Sequence, residues 1–530
     1  MNKWFNLITG KNRFSEKSPA ANGKDNSLYE KENLEQTKVS AKLQDNLQFL
    51  QNIMGLNSDV IFRSFRLGTK SGNKTLVIYI ESMVDKTMLQ ENILKPLMYD
   101  NNFASDPKTA GESLHDLVLN SMLVAANVTI TKFMSKVVTD ILSGGVILMI
   151  EYLDNAFLIN IRSHEQRVIT EPEAEILVRG PREGFTESLQ TNIVLIRRKF
   201  NSPNLIFESL NIGHLTATKI SIAYLKGIAA TELVTNVKQR LQKIDIDGIL
   251  ESGYLEEFIE DHPHSPLPQI MHTERPDRVA GNLLEGRVAI ITDGTPIVLI
   301  VPMGISGFLT SPEDYYERSI IVSAIRLLRY ITFAASLLLP SLYIAISTFH
   351  QEMIPSKFLI SITSYGRGVP FPLLFEALLL ESTLEVLREA GTRLPRSIGS
   401  AVSIVGALVI GQAAVQAGLV SPLMVIIVAG TGIASFTLPA YNLGMALRLL
   451  RFPLMVLAGS LGLFGVLFGV ILITIHATSL HSFGMPYLSP LAPFQTANLK
   501  DLFTRVPWWA MDKRPAGISS INRRRQAPRP

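Results

Sequence analysis

From Ser397 to Leu499 only two of 103 residues carry a formal charge, Arg448 and Arg451, and Ser397 to Leu447 contains no Asp, Glu, Lys or Arg at all. The loops of a soluble domain must meet water, so such a domain cannot hide so long an uncharged stretch. A bilayer can, because one helical crossing needs about 20 mostly apolar residues. The C-terminal third is therefore expected to be an all-α, polytopic membrane domain.

The remainder behaves differently. Residues 1–320 mix charged and apolar residues at ordinary globular frequency, enough chain for about two soluble domains. Residues 1–46 read as a flexible polar leader, too poor in large apolar side chains to order itself. Residues 47–320 read as an α+β domain of two subdomains, with a boundary near residues 160–200. Strand patterns fall on Thr75–Ile80, Asn204–Leu210 and Lys219–Tyr224, and helical patterns on Lys86–Met98, Glu187–Arg198, Glu232–Lys243 and Gly253–Asp261. Asp154-Asn155 marks a hairpin between Val146–Tyr152 and Ala156–Ile161. Asp293-Gly294 marks another between Arg287–Ile291 and Ile297–Val301, because Asp-Gly favours the positive-φ turn that matches strand twist.

In the membrane part, spans are expected near 330–349, 398–419, 423–441 and 452–476, with Pro340 predicting a kink in the first. Phe371–Leu387 is apolar but carries Glu376, Glu381 and Glu385. It is read as a short re-entrant or interfacial segment, with Glu376 and Glu381 at the interface. Arg318, Arg326 and Arg329 before the first span put the N-terminal domain on the cytoplasmic side. Residues 479–530 form a Pro-rich segment and a basic tail: from Lys500 onward eight Lys or Arg face two Asp. That tail suits an anionic inner leaflet, and it lacks the aromatic interleaving of a nucleic-acid binder. No simple count of crossings puts every basic cluster on one side.

There is no cysteine, so disulfides, thiolate metal sites and thiol nucleophiles are excluded. Trp4–Ile8 is too short for the core of a signal peptide. No phosphate-binding G-x-x-x-x-G-K-[ST] motif or G-x-S-x-G elbow occurs. The histidines of Asp261-His262-Pro263-His264 are separated by proline and cannot share a helix face, so the stretch reads as a loop. No cofactor, metal or catalytic constellation is expected. In Arg179–Phe185, Gly180-Pro181 makes a turn, after which Arg182 and Glu183 open a helix. Gln412 and Gln416 lie one turn apart on the same face as Val405 and Val409. Such a face can line a pore with a hydrophobic constriction or glue helices by an interhelical amide bond; both readings stay open. Gly406, Gly411, Ala414 and Gly418, and the pair Gly465 and Gly469, point to tight helix contact.

Four separated stretches, RGPREGF (179–185), RVAIITDGTPIVLIVP (287–302), SPEDYYER (311–318) and LPRSIGSAVSIVGALVIGQAAVQAGLVSP (394–422), together resemble the GerA family of spore germination proteins, and within it the A subunit of a germinant receptor. The resemblance covers about residues 50–500. Gly180, Pro181, Arg182 and Glu183 match one family signature, and Pro395, Arg396, Gly406, Gly411 and Gln412 the membrane signature. The resemblance implies a multi-pass protein of the spore inner membrane. It would act as a homo-oligomer with a permease-like B subunit and a lipoprotein C subunit, sensing small nutrients and triggering germination by forming or gating an ion path. A sister branch, the SpoVA-operon-associated protein, stays open. So does an autonomous secondary transporter, although the internal repeat such a fold would show is not visible.

Overall fold

The computed structural model describes residues 35–68, 72–99, 128–161, 170–357, 359–360, 368–393, 411–515, 518 and 522–526. The chain divides into two compact units, the first holding residues 1–52 and 60–163, the second residues 53–59 and 164–530. The expected stretch 398–410, with Pro395, Arg396, Val405, Val409 and Gly406 of the site residues, lies outside the described residues.

The first unit is built on an antiparallel sheet in the order β1-β2-β4-β5-β3, from β1 (Val60–Arg66), β2 (Lys74–Ile80), β3 (Val128–Thr131), β4 (Val146–Ile150) and β5 (Ala156–Ile159). β4 and β5 are apolar throughout and wholly buried, and they pair as the expected hairpin with Met149 opposite Ala156. α1 (Leu43–Met54) and α2 (Met134–Leu142) complete the long elements. Residues 86–99 are helical as expected. Asp85 caps that run by accepting from Thr87 N (2.9 Å) and Met88 N (3.0 Å), and a π-turn over Gln90–Leu94 interrupts it. β1 has no strand signal in the sequence, because it is an edge strand whose Arg63, Ser64 and Arg66 face solvent.

The second unit carries another antiparallel sheet, in the order β6-β7-β9-β10-β8. Its strands are β6 (Leu205–Ile212), β7 (Thr218–Leu225), β8 (Met271–Thr273), β9 (Val288–Thr292) and β10 (Val298–Val301). Both faces are covered, so the alternation along each strand feeds two cores. Ile222, Ile290 and Leu299 pack on α4 (Thr231–Gln242) and α5 (Ser252–Ile259). Phe207, Ala223, Ile291 and Ile300 pack with α3 (Leu189–Arg197) and α6 (Pro276–Leu284). Each fully buried aliphatic or aromatic side chain here is worth roughly 1.5–3 kcal/mol relative to exposure. β9 and β10 form the expected hairpin, with Gly294 at φ +91°. Its connection is longer than a two-residue turn because Gly294 N donates to Glu187 O (2.8 Å) and Asp293 accepts from Leu189 N (3.0 Å).

Among the described residues five further α-helices longer than four residues follow: α7 (Ser319–Phe349), α8 (Leu373–Arg393), α9 (Gly411–Gln416), α10 (Pro422–Phe436) and α11 (Tyr441–Ser479). α7 and α11 are long and apolar enough to cross a membrane. α11 is broken at Gly462 (φ +62°, ψ −143°), a backbone conformation essentially confined to glycine. Residues beyond the break close back on those before it: a Cβ on Gly469 would stand 2.4 Å from Leu454 Cδ2. Both ends of α11 consequently lie at the second sheet, Asn442 beside His272 (3.5 Å) and His476 on Ser265 (2.9 Å). The tip at Gly462 sits against Phe349 and His350 at the far end of α7. The run 452–476, expected as one span, is thus the upper part of a helical hairpin, and Gly465 and Gly469 serve the contact between its own arms.

α8 and α10 run parallel to each other and opposite to α7. Leu374 and Glu376 at the start of α8 meet Gly459 near the tip and Ser421 at the start of α10. Arg388 reaches Ser435 near the end of α10, and Thr437 bonds Thr332 on the sheet-proximal part of α7 (2.6 Å). Of the segment read as re-entrant or interfacial, 371–387, residues 373–387 lie in the 21-residue helix α8.

Candidate functional site: a buried ion-pair ladder

Five charged side chains meet between α8 and α11, beside the end of α10. Arg451 and Glu381 are 1% and 0% exposed and bond at 2.6 Å through Nη1 and Oε2. One turn along each helix, Arg448 contacts Glu385 Oε2 at 3.3 Å, and Arg388 contacts Glu385 Oε1 at 3.4 Å. Arg388 also donates to Ser435 Oγ (3.3 Å) and lies over the Phe436 ring (4.8 Å). Glu376, also buried, accepts from Ser421 N (2.8 Å) at the start of α10. Glu381 and Glu385 thus face three arginines, and Glu376 is held separately by a backbone amide. Pairing makes burial among apolar helices tolerable, since an isolated charge there would cost far more than a paired one.

Pro340 explains how Arg451 is held. A proline has no N–H, so the carbonyl four residues earlier loses its helical donor. That carbonyl belongs to Ser336, and Arg451 Nε donates to it at 2.8 Å. α7 continues through Pro340, and the freed oxygen becomes part of the site. Glu381 Oε1 and Arg451 Nη2 remain buried without a partner. The ladder is therefore paired but not saturated in hydrogen bonds.

Several expectations change here. Glu376 and Glu381, expected at the interface, are both buried between helices, Glu381 on Arg451 and Glu376 on the Ser421 amide. Arg448 and Arg451, the only charges of the C-terminal run, are paired inside the bundle with Glu385 and Glu381. Arg326 and Arg329 are likewise buried, both on Asp314 (3.0 and 2.8 Å), with Arg326 also on Asp501 (2.7 Å). Only Arg318 of that basic cluster is exposed. Asp314 belongs to the SPEDYYER stretch, so the acid of that motif neutralises the first turns of α7.

The RGPREGF stretch does not open a helix at Arg182. Residues 179–187 are irregular and α3 begins at Leu189, because Ser188 caps Thr191 N (3.4 Å) while Arg275 holds the Pro181 carbonyl (2.7 Å) and Glu274 O takes Phe185 N (2.8 Å). Gly180 lies against the Tyr316 ring. Arg182 is exposed and contacts Glu171 (3.2 Å), and Glu183 bonds Lys199 (2.5 Å). Asp261 of the histidine loop is committed to Arg240 (2.6 Å) and Phe483 N (2.6 Å). Gly411, Gln412 and Gln416 lie on α9, where both amides are exposed.

The fold defines a class of α+β protein whose sheet core continues into apolar helices with buried ion pairs, two of them long and apolar enough to cross a membrane. A family model described as Bacillus/Clostridium GerA spore germination protein matches residues 48–517. The chain belongs to the GerA family. It is similar to spore germination protein KA of Bacillus subtilis, 46% identical over 92% of this chain and 89% of the relative. It is also similar to a B. subtilis protein described as uncharacterized membrane protein YfkQ, 43% identical over 93% and 94%. Among solved structures, the N-terminal domain of the A subunit of the Bacillus megaterium spore germinant receptor GerK3 matches at 34% identity and a TM-score of 0.40, covering 50% of this chain and 96% of that one.

Proposed function

We propose that this chain is the A-type membrane subunit of a spore nutrient receptor, and that several copies surround an ion path lined by the face of Val405, Val409, Gln412 and Gln416. In this reading α7, α8, α10 and both arms of α11 cross the spore inner membrane. The second sheet and the basic tail share the cytoplasmic side. A permease-like B subunit and a lipoprotein C subunit complete the receptor, and nutrient arrival opens the path.

One observation carries the ion path. Gln412 and Gln416 are exposed, and among the described residues neither amide has a hydrogen-bond partner. Amides that glued helices of this chain together would be paired within it. Unpaired amides on an apolar helix instead suit a water-filled lumen formed by several copies. The carboxylates nearby are not free to serve the ion, since Glu376, Glu381 and Glu385 are all engaged.

The test is monovalent-ion leak from dormant spores carrying Val405→Ala or Val409→Ala. Widening the constriction should raise leak and spontaneous germination without nutrient. Variants that assemble at normal abundance yet leave leak unchanged would remove this face from the path. Accumulation of a radiolabelled nutrient by vesicles holding this chain alone would favour a transporter instead.

A further inference from the structure

A cleft of about 610 Å³ opens in the second unit between the end of α6, residues 306–315 and the C-terminal segment. Seven of its lining residues are Lys or Arg and three are Asp or Glu, an excess of four positive charges. Two of the acids are already committed. Glu285 is held by Arg525 (3.1 Å) and Arg287 (3.3 Å), and Asp501 by Arg326 and the Tyr315 hydroxyl (each 2.7 Å). Among the described residues Lys500, Lys513 and Arg523 have no acidic partner, and Arg287 Nε is buried without an acceptor. A concave surface with this charge balance is short of anions.

The surroundings choose between a soluble anion and a lipid. The segment that walls the cleft runs along the first turns of α7: Arg505 N bonds Ser323 Oγ (3.1 Å), Tyr330 donates to Leu502 O (3.3 Å), and the Tyr330 and Phe503 rings lie 4.9 Å apart. Phe503, Trp508 and Trp509 on that segment are exposed, as is Ile320, at 85%, on the facing end of α7. Exposed tryptophans beside cations, at the mouth of an apolar helix, reproduce the order of a bilayer's headgroup layer. A site for free phosphate has no use for the exposed rings.

We infer that this cleft holds the phosphate headgroup of an anionic phospholipid from the leaflet that α7 enters. The inference rests on the reading of α7 as a membrane crossing and is independent of the ion path. The experiment places the full-length protein in nanodiscs of phosphatidylcholine with or without phosphatidylglycerol, then counts retained lipid by native mass spectrometry. Phosphatidylglycerol should be retained preferentially. The triple variant Lys500→Gln, Lys513→Gln, Arg523→Gln should weaken retention about a hundredfold, at roughly fivefold per cation. Arg198→Gln, Lys226→Gln and Lys243→Gln, exposed cations elsewhere, should leave it unchanged.

Should the triple variant misfold, charge-preserving Lys500→Arg, Lys513→Arg and Arg523→Lys should keep retention, and added salt should reduce it for the wild type. Equal retention of both lipids by the wild type, or full retention by a folded triple variant, overturns the site. Inorganic phosphate displacing phosphatidylglycerol at equal concentration overturns the lipid assignment. A protein that will not enter phosphatidylcholine nanodiscs overturns the crossing, and the lipid site with it.

Discussion

Arg451 and Glu381 set the energetics at the residue scale. Each charge is tolerable inside the bundle only because the other is there, so removing one strands its partner. Arg451→Leu or Glu381→Leu is expected to cost about 3–5 kcal/mol, and the double substitution less than either single change. Thermal unfolding of the four proteins in detergent measures this as a double-mutant cycle; additive losses would mean the pair is not coupled. A second residue effect lies outside the helices. Burial first, then the Glu260 and Glu251 carboxylates, push the Glu256 carboxyl up to about 8 from an ordinary 4.5. The folded form then keeps a proton that the unfolded form has lost, so this group lowers stability as pH rises from about 4.5 to about 8. Glu256→Gln should flatten that decline, read as melting temperatures across the range.

At the scale of elements, the hairpin of α11 depends on one position. Gly462 has positive φ, and an added Cβ would stand 2.9 Å from Phe349 Cβ. Gly462→Ala is expected to cost about 1–3 kcal/mol and to loosen the tip, visible as faster amide exchange around 458–466. Exchange unchanged from wild type would mean that the reversal does not need glycine. The sequence displayed Gly465 and Gly469 as a packing pair but not their partner, because the GxxxG spacing is the same whether the facing helix is another element or an arm of the same one. Helix existence was legible from hydropathy in α7, α10 and α11. α3 was legible to within two residues from the pattern over 187–198, whereas the helix expected to open at Arg182 is absent because Arg275 and Glu274 hold that stretch irregular.

For the whole second unit, the return of α11 to the sheet decides the layout. Tyr487, fully buried, follows that return. Its carbonyl accepts Ile305 N (2.9 Å), its ring lies 6.4 Å from that of Phe308, and its hydroxyl is buried without a partner. Tyr487→Ala should cost about 3–5 kcal/mol and release the C-terminal segment to limited proteolysis. Tyr487→Phe, which deletes only the unpaired hydroxyl, should be neutral or stabilising. A Phe variant as unstable as the Ala variant would reveal a hydrogen bond to that hydroxyl. The same return places the basic tail beside the second sheet, an arrangement that counting basic clusters along the chain did not reach.

The uncharged run and its two arginines, read alone, determined that the C-terminal part is apolar helix and that the α+β part precedes it. Periodicity suffices for that, since burial of one face repeats along the chain. Four short stretches further identified the family. Only the tertiary structure decided what the charges do. A charge in a sequence looks the same whether it marks a membrane surface or neutralises a partner 70 residues away, as Arg451 does for Glu381. The partner, and the carbonyl that Pro340 leaves free, become visible only when the helices are side by side.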